Sequence, residues 1–250
     1  MRLGWLSRLL SNPACALCPA LASTGLLPRW RSLPIIKLSR ALRLALPLAL
    51  VAAAAPMVAQ MPEVPGKADK ARVTAGTYTA DAGHSLVAWK VNHFGFNDYF
   101  GLFGDVSGSL TIDLANPASS KVSVKIPVSK VVTANAGLTA HLLKPGAEGK
   151  SADFFGAAPA DATFVSTSVT PGADGMSAKV TGDLTLNGVT KPVTVDATFA
   201  GAGTNPFSKA ATLGFHGKAT IKRSDFNIKY GLPFVSDDVT LDITAAFEKK

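Results

Sequence analysis

The stretch Lys179–Phe199, KVTGDLTLNGVTKPVTVDATF, decides the reading of the fold. Val180, Gly182, Leu184 and Leu186 alternate with Lys179, Thr181, Asp183 and Thr185. Beyond Asn187-Gly188, Val193, Val195, Ala197 and Phe199 alternate with Thr194, Asp196 and Thr198. A period of two puts each apolar set on one face of an extended strand. Asn-Gly between such runs suits a two-residue turn in which both residues take positive φ. The segment is therefore an antiparallel hairpin with one apolar and one ionic face.

The same pattern extends outward in both directions. Toward the C-terminus, Leu213–Arg223 sets Leu213, Phe215, Gly217, Ala219 and Ile221 against Thr212, His216, Lys218, Thr220 and Lys222. Val239–Phe247 then sets Val239, Leu241, Ile243, Ala245 and Phe247 against Thr240, Asp242 and Thr244. Toward the N-terminus the strands are Ala162–Thr170, Lys121–Val128, Val106–Leu114 and Leu86–His93, the last with Val87, Trp89, Val91 and His93 on one parity. Pro127 and Pro192 sit near strand ends, where a lost backbone donor is tolerated. A long connection over residues 129–161 carries turn residues and a short helix around Leu138–Lys144. Eight antiparallel strands of this spacing form a sandwich or a closed barrel, and closure removes exposed edges.

The ionic face settles which way the strands point. Lys121, Lys125, Lys179, Asp183, Asp196, Lys218, Lys222 and Asp242 cannot face lipid cheaply, as they would in an outer-membrane barrel. They face water, so the apolar set points inward. The fold expected is all-β: an eight-stranded antiparallel lipocalin-like barrel around a dry interior, wide enough for side chains or one slender ligand.

The charge is unevenly placed along the chain. The formal net charge is +8, yet the first 59 residues hold seven of the 25 basic residues and no acid, leaving 18 basic against 17 acidic side chains in the rest. A phosphate-binding face needs clustered basic excess, so no nucleic-acid partner is expected. Residues 1–59 read as a leader, with a signal peptide over about 34–59: basic Lys37, Arg40 and Arg43, then the apolar run Leu44–Ala55, then small residues before Gln60. That pattern implies export to the periplasm. An uncleaved anchor is the competing reading, weakened by Pro47 and Pro56. Residues 1–33 have no assigned role, and their Cys15 and Cys18 lack the further ligands that a metal or redox site needs. Residues 60–75 read as a linker, and residues 76–250 as a barrel without cysteine, dependent on packing alone.

Several short blocks, in order, carry a family resemblance. They are Tyr78-Thr79-Ala80-Asp81 with His84-Ser85, Val91-Asn92-His93-Phe94-Gly95, Gly101-Leu102-Phe103, Val106-Ser107-Gly108, His141-Leu142 and Ser151-Ala152-Asp153-Phe154-Phe155. After these come Phe164-Val165-Ser166-Thr167, Gly182–Val193, Arg223-Ser224-Asp225-Phe226 and Val235-Ser236-Asp237-Asp238-Val239. Over about Gly76–Lys250 the chain resembles the YceI-like proteins, periplasmic lipocalin-like barrels. The resemblance implies binding of polyisoprenoid or other long-chain lipid, including quinone-type lipids. Asn227 stands where the family usually has Gly, a mild change because Asn tolerates left-handed backbone. Residues 142–150, LLKPGAEGK, are longer than the family pattern and alter the loop over the barrel mouth.

The expected ligand is thus a long-chain lipid, with no other cofactor. Trp89, Phe103, Phe154, Phe155, Phe164, Phe199 and Phe215 are the candidates to line its tail. His93 and Arg223, the two polar residues on the inner parity, are the candidates for its head group. The competing reading makes His93 and Arg223 strand-end tethers for loops, with Arg223 meeting a carboxylate or backbone carbonyls. The aromatic residues could equally be ordinary core. A transient membrane contact for lipid exchange and a homodimer stand as further partner expectations. His84, His93, His141 and His216 match no short metal-ligand spacing, so no metal is expected. No nucleophile elbow, phosphate loop or paired inner carboxylates occur, so no catalysis is expected. An enzyme acting on an apolar substrate in the barrel, and a structural module with a packed interior, remain the alternatives.

Overall fold

The structure, a computed structural model, describes residues 63–249. The leader, its signal-peptide reading, Cys15 and Cys18 lie outside the described residues.

Strand β1 spans Gly76–Ala80, β2 Leu86–His93, β3 Asn97–Phe103, β4 Ser107–Ile112, β5 Lys121–Ile126 and β6 Val132–Thr133. A helix, α1, spans Ala136–Leu142. The remaining strands are β7 Ala162–Pro171, β8 Ser177–Leu186, β9 Val189–Thr204, β10 Ala211–Lys222 and β11 Asp238–Glu248. All pairings are antiparallel. The order β1-β4-β5-β7-β8-β9-β10-β11 closes on itself where Thr79 and Ala80 of β1 pair with Glu248 and Phe247 of β11. The result is a closed eight-stranded barrel. β2 continues the line of β1 beside β11, placing Trp89 opposite Leu241, while β3 and then β6 pair on beyond β2. The break between β1 and β2 is sewn to β11 by the buried Ser85 hydroxyl. It donates to Ala246 O at 3.2 Å and accepts from Ala246 N at 3.1 Å.

The deciding hairpin forms as its pattern requires. Leu186 pairs with Val189, and Asn187 and Gly188 take φ of 50° and 76°, the two positive values of the turn. β9 begins earlier than the alternation suggests and runs through Pro192. There β9 is paired with β8, and its pairing with β10 starts only at Asp196. The missing proline donor is tolerated on such a one-sided stretch. The helix starts two residues before the expected position because the Asn135 side chain caps it, accepting from Leu138 N at 3.0 Å. β3 falls outside the alternation rule altogether. Tyr99, Gly101 and Phe103 face inward, but Phe100 and Leu102 on its other side are also apolar and exposed, so no period of two is visible.

The eight ionic residues named above are all exposed on the outer face. Inside, the core divides into two clusters. One end of the barrel is packed by Tyr78, Ala202, Leu213 and Phe247, with Phe199 and Phe215 against them. The Phe199 and Phe215 ring centroids are 5.7 Å apart, and Phe215 and Phe247 6.3 Å. The segment 63–75 is tied to this end: Lys67 exchanges both backbone hydrogen bonds with Ala202, and Arg72 Nη1 donates to Ala202 O at 3.1 Å. The second cluster gathers Trp89, Phe164, Leu184, Ile221, Phe226, Ile228 and Val239 toward the other end, beneath α1.

Candidate functional site

The second end of the barrel is hollow. A cavity of about 660 Å³ lies between the inner faces of β2, β8, β10 and β11 and the segments that cross the rim. Val87, Trp89, Val91, Leu184, Leu186, Ile221, Val239 and Leu241 form its wall; these are the inward parity of their strands. Leu138 and Leu142 of α1, Phe154 and Phe155, and the loop residues Ile228, Tyr230 and Val235 cover it. The covering residues also hold each other. Phe103 and Phe155 meet edge to face at 5.9 Å, and the rings of His141, Phe154 and Tyr230 are mutually in contact at 5.1 to 5.4 Å. His141 Nε2 is 2.8 Å from Asp153 Oδ2, joining α1 to the Phe154-Phe155 segment.

Of the residues expected to line a lipid tail, the structure brings Trp89, Phe103, Phe154 and Phe155 together around this cavity. Phe164 is buried in the neighbouring core but does not line the hollow. Phe199 and Phe215 are elsewhere: they pack the opposite end of the barrel. Strand parity reports the face of a residue but not its height along the barrel, and height is what separates these groups. Tyr99, Ile126, Leu138, Tyr230 and Val235 also line the cavity and were not among the expected residues. Parity and contiguity point to Ile126; the others come from β3, α1 and a loop, where no alternation exists to be read.

His93 and Arg223 both border the cavity, with different surroundings. His93 is exposed at the end of β2, its ring edge-on to Phe94 at 4.3 Å. Arg223 is 5% exposed and is committed to backbone carbonyls. Its Nε donates to Ser236 O at 2.8 Å, Nη1 to Ile228 O at 3.2 Å and Tyr230 O at 2.7 Å, and Nη2 to Val235 O at 2.8 Å. These four bonds occupy four of the five guanidinium N–H groups. The guanidinium thereby fixes the 227–237 loop over the hollow, as the tether reading anticipates. Burial pulls its pKa down from the ordinary arginine value, with the charge of Asp237 opposing; an arginine remains protonated under these conditions. Asn227, at φ 62°, turns the chain out of the Arg223–Phe226 helical turn. Asn187 Nδ2 donates to Phe226 O at 3.0 Å, linking that turn to the β8–β9 hairpin.

Asp237 completes the loop. Partial burial pushes its carboxyl upward, but hydrogen bonds from the Ser224 hydroxyl at 2.7 Å and the Ser224 backbone N–H at 2.8 Å outweigh that, and its pKa lies below the usual value. The Arg223-Ser224 and Ser236-Asp237 blocks are thus two halves of one clasp.

Trp89 has two features that set it apart. Its indole lies across Gly101, where a Cβ would come within 2.1 Å of Cζ2, so only glycine leaves room for the ring. Its Nε1 is the one buried side-chain nitrogen or oxygen among the described residues with no hydrogen-bond partner. A buried donor left unmade costs about 1–3 kcal/mol.

Around the mouth the surface is aromatic and open to solvent. Phe94 and Phe234 stack at 5.8 Å, both exposed, and Phe96 and Phe100 are exposed beside them. Among the described residues no group of three or more His, Cys, Asp or Glu is placed to hold a metal ion, and no helix is long and apolar enough to cross a membrane.

Comparison with known proteins converges on one family. Residues 78–247 match the YceI-like domain. The chain is 42% identical over 162 residues to Protein YceI of Escherichia coli O157:H7, an alignment covering 64% of this chain and 80% of that one. It is 41% identical over 159 residues to a UPF0312 protein of Ectopseudomonas mendocina, covering 63% and 78%. Among solved structures, Burkholderia cenocepacia BcnA superposes with a TM-score of 0.55 at 29% identity, covering 67% of this chain and 98% of that one. The Campylobacter jejuni YceI protein gives 0.53 at 29% identity, covering 64% and 90%.

Proposed function

This chain belongs to the YceI-like domain family, and on that footing we propose that it is a binding and carrier protein for one long-chain apolar lipid, of polyisoprenoid or quinone type, held inside the barrel. The observation that carries this reading is the hollow of about 660 Å³, walled by aliphatic and aromatic side chains. A volume of several hundred Å³ is that of a small-ligand site. Each methylene buried there contributes roughly 0.8 kcal/mol, so a long chain is held without elaborate polar chemistry. A structural module with a packed interior does not account for such a space.

The lining offers no arrangement suited to bond making. Arg223 is engaged by its loop, and the His141–Asp153 pair braces the cover. A non-catalytic role is the simplest assignment. Any ionised head group stays at the mouth, near His93 and the remaining Arg223 N–H, where water reaches it. The exposed Phe94, Phe96, Phe100 and Phe234 border the same mouth, which supports transient contact with a membrane as the route of lipid exchange. The basic and then apolar leader supports action in the periplasm.

The test is organic extraction of the purified protein followed by mass spectrometry. The expected result is one predominant long-chain lipid at near one per barrel. Protein that carries none, and takes none up when prenyl lipids are offered, contradicts the proposal.

A further inference from the structure

We infer that the indole N–H of Trp89 is a ligand-anchoring donor, and that the lipid in the hollow carries an uncharged acceptor oxygen, a carbonyl, ester or ether, that reaches it. The inference rests on the lipid reading above and deepens it. Trp89 lines the cavity and is 9% exposed, while its Nε1 has no partner in the protein. Buried polar groups in folded proteins are almost always satisfied, so an exception calls for an explanation. Packing does not supply one. The ring occupies its place only because residue 101 has no side chain, with Gly101 directly opposite Trp89 on β3. A phenylalanine on β2 would fill the wall without burying a donor.

The depth of Trp89 sets the kind of oxygen. It lies four residues before His93 on β2, roughly 13 Å from the strand end at about 3.3 Å per residue. Its partners across β2 are Leu241 and Gly101, and Val87, Leu184 and Phe103 line the same part of the hollow. The charged side chain in the lining, Arg223, belongs to the rim and is already bound to four carbonyls. An ionised oxygen at the depth of Trp89 would be stripped of water with no countercharge beside it. A neutral oxygen meets no such penalty and satisfies the orphan donor. The ligand then has a fixed depth as well as a fixed volume, with the remaining chain directed along the apolar wall.

The experiment uses the full chain, freed of copurifying lipid, and two probes. Geranylgeranylacetone is a prenyl chain ending in one ketone; squalene has the same repeating unit and no heteroatom. Each is titrated into wild type and Trp89→Phe. The expected result is a loss of affinity for the ketone in Trp89→Phe larger by about three- to tenfold than the loss for squalene, the range of one net hydrogen bond. A second readout needs no variant for its result. In protein labelled with ¹⁵N-tryptophan, the Trp89 indole proton, assigned by its disappearance in Trp89→Phe, moves downfield with the ketone and far less with squalene. Equal losses for both probes, or an indole proton that responds alike to both, overturn the inference and leave the lipid reading standing. Wild type that binds neither probe overturns both.

Discussion

The two ends of the barrel are made from the same eight strands, and they are finished differently. At one end Tyr78, Leu213 and Phe247 are nearly inaccessible and Phe199 and Phe215 fill the space between them. At the other end the inner residues of the same strands continue, yet their side chains stop short of one another and leave a hollow. What closes the second end is a set of segments between strands: α1, the Phe154-Phe155 turn and the loop clasped by Arg223. Stability and binding are thus separated along the barrel axis. The first end is packed to exclude everything, and the second is held open by a polar clasp that fills no volume.

The largest expected effect comes from cutting the packed end. Leu213→Ala should lower the free energy of unfolding by about 2–5 kcal/mol, the cost of a large-to-small change in a well-packed core. Urea denaturation measures it. Lipid affinity of the folded fraction should stay within about twofold, on the same separation of ends.

Arg223→Met tests the clasp and comes next. Four carbonyls lose their donor, and each buried polar group left unpaired costs on the order of 1 kcal/mol or more. A net loss of about 3 kcal/mol is expected, together with weaker lipid binding, because Ile228, Tyr230 and Val235 belong to the released loop. Arg223→Lys should not restore it, since an ammonium cannot present the forked donors that the four carbonyls require. A variant as stable as wild type would show that the loop holds itself.

Phe155→Ala should reverse the pattern seen at Leu213. Its ring borders the hollow, so its removal enlarges an existing space, and a stability loss below about 2 kcal/mol is expected, less than for a fully packed phenylalanine. Affinity for lipid, by isothermal titration, should fall about tenfold with the lost apolar contact.

The smallest effect is one of pH. Because the Asp237 carboxyl is held below its ordinary range in the folded chain, its contribution to stability is complete above the unfolded carboxylate pKa of about 3.9 and is lost as pH falls through the folded value. Hydrogen exchange followed from pH 6 downward should show the 223–237 loop loosening below about pH 4 while the Leu213 end stays protected. Asp237→Asn should loosen the loop at all pH values and remove that acid step.

The sequence was legible where the strands are regular. Alternation in β2, β4, β5 and β7 to β11, the Asn187-Gly188 turn and the exposed lysines and aspartates define a closed antiparallel barrel with an apolar interior. β1 and β6 are too short to alternate visibly, and β3 hides its period because Phe100 and Leu102 make its outer side apolar as well. The site was legible only in part, for a related reason. Period two assigns a face but carries no coordinate along the strand, so Trp89 and Phe215 look alike in sequence and lie at opposite ends. The role of Arg223 could be narrowed to a carboxylate, a set of carbonyls or a head group. The choice among them depends on where the loop carbonyls of Ile228, Tyr230, Val235 and Ser236 point, which local sequence does not encode. Trp89 could be placed on the inner face, but its unpartnered N–H exists only because Gly101 is brought opposite by strand pairing.

The most direct test of the separation of ends is an equilibrium titration of lipid-free protein with prenyl alcohols of increasing length. If the hollow is the binding site, affinity rises with each added isoprene unit, by up to roughly 0.8 kcal/mol per methylene buried, and then levels off once the hollow of about 660 Å³ is full. Affinity that does not depend on chain length, or no binding at any length, would contradict it.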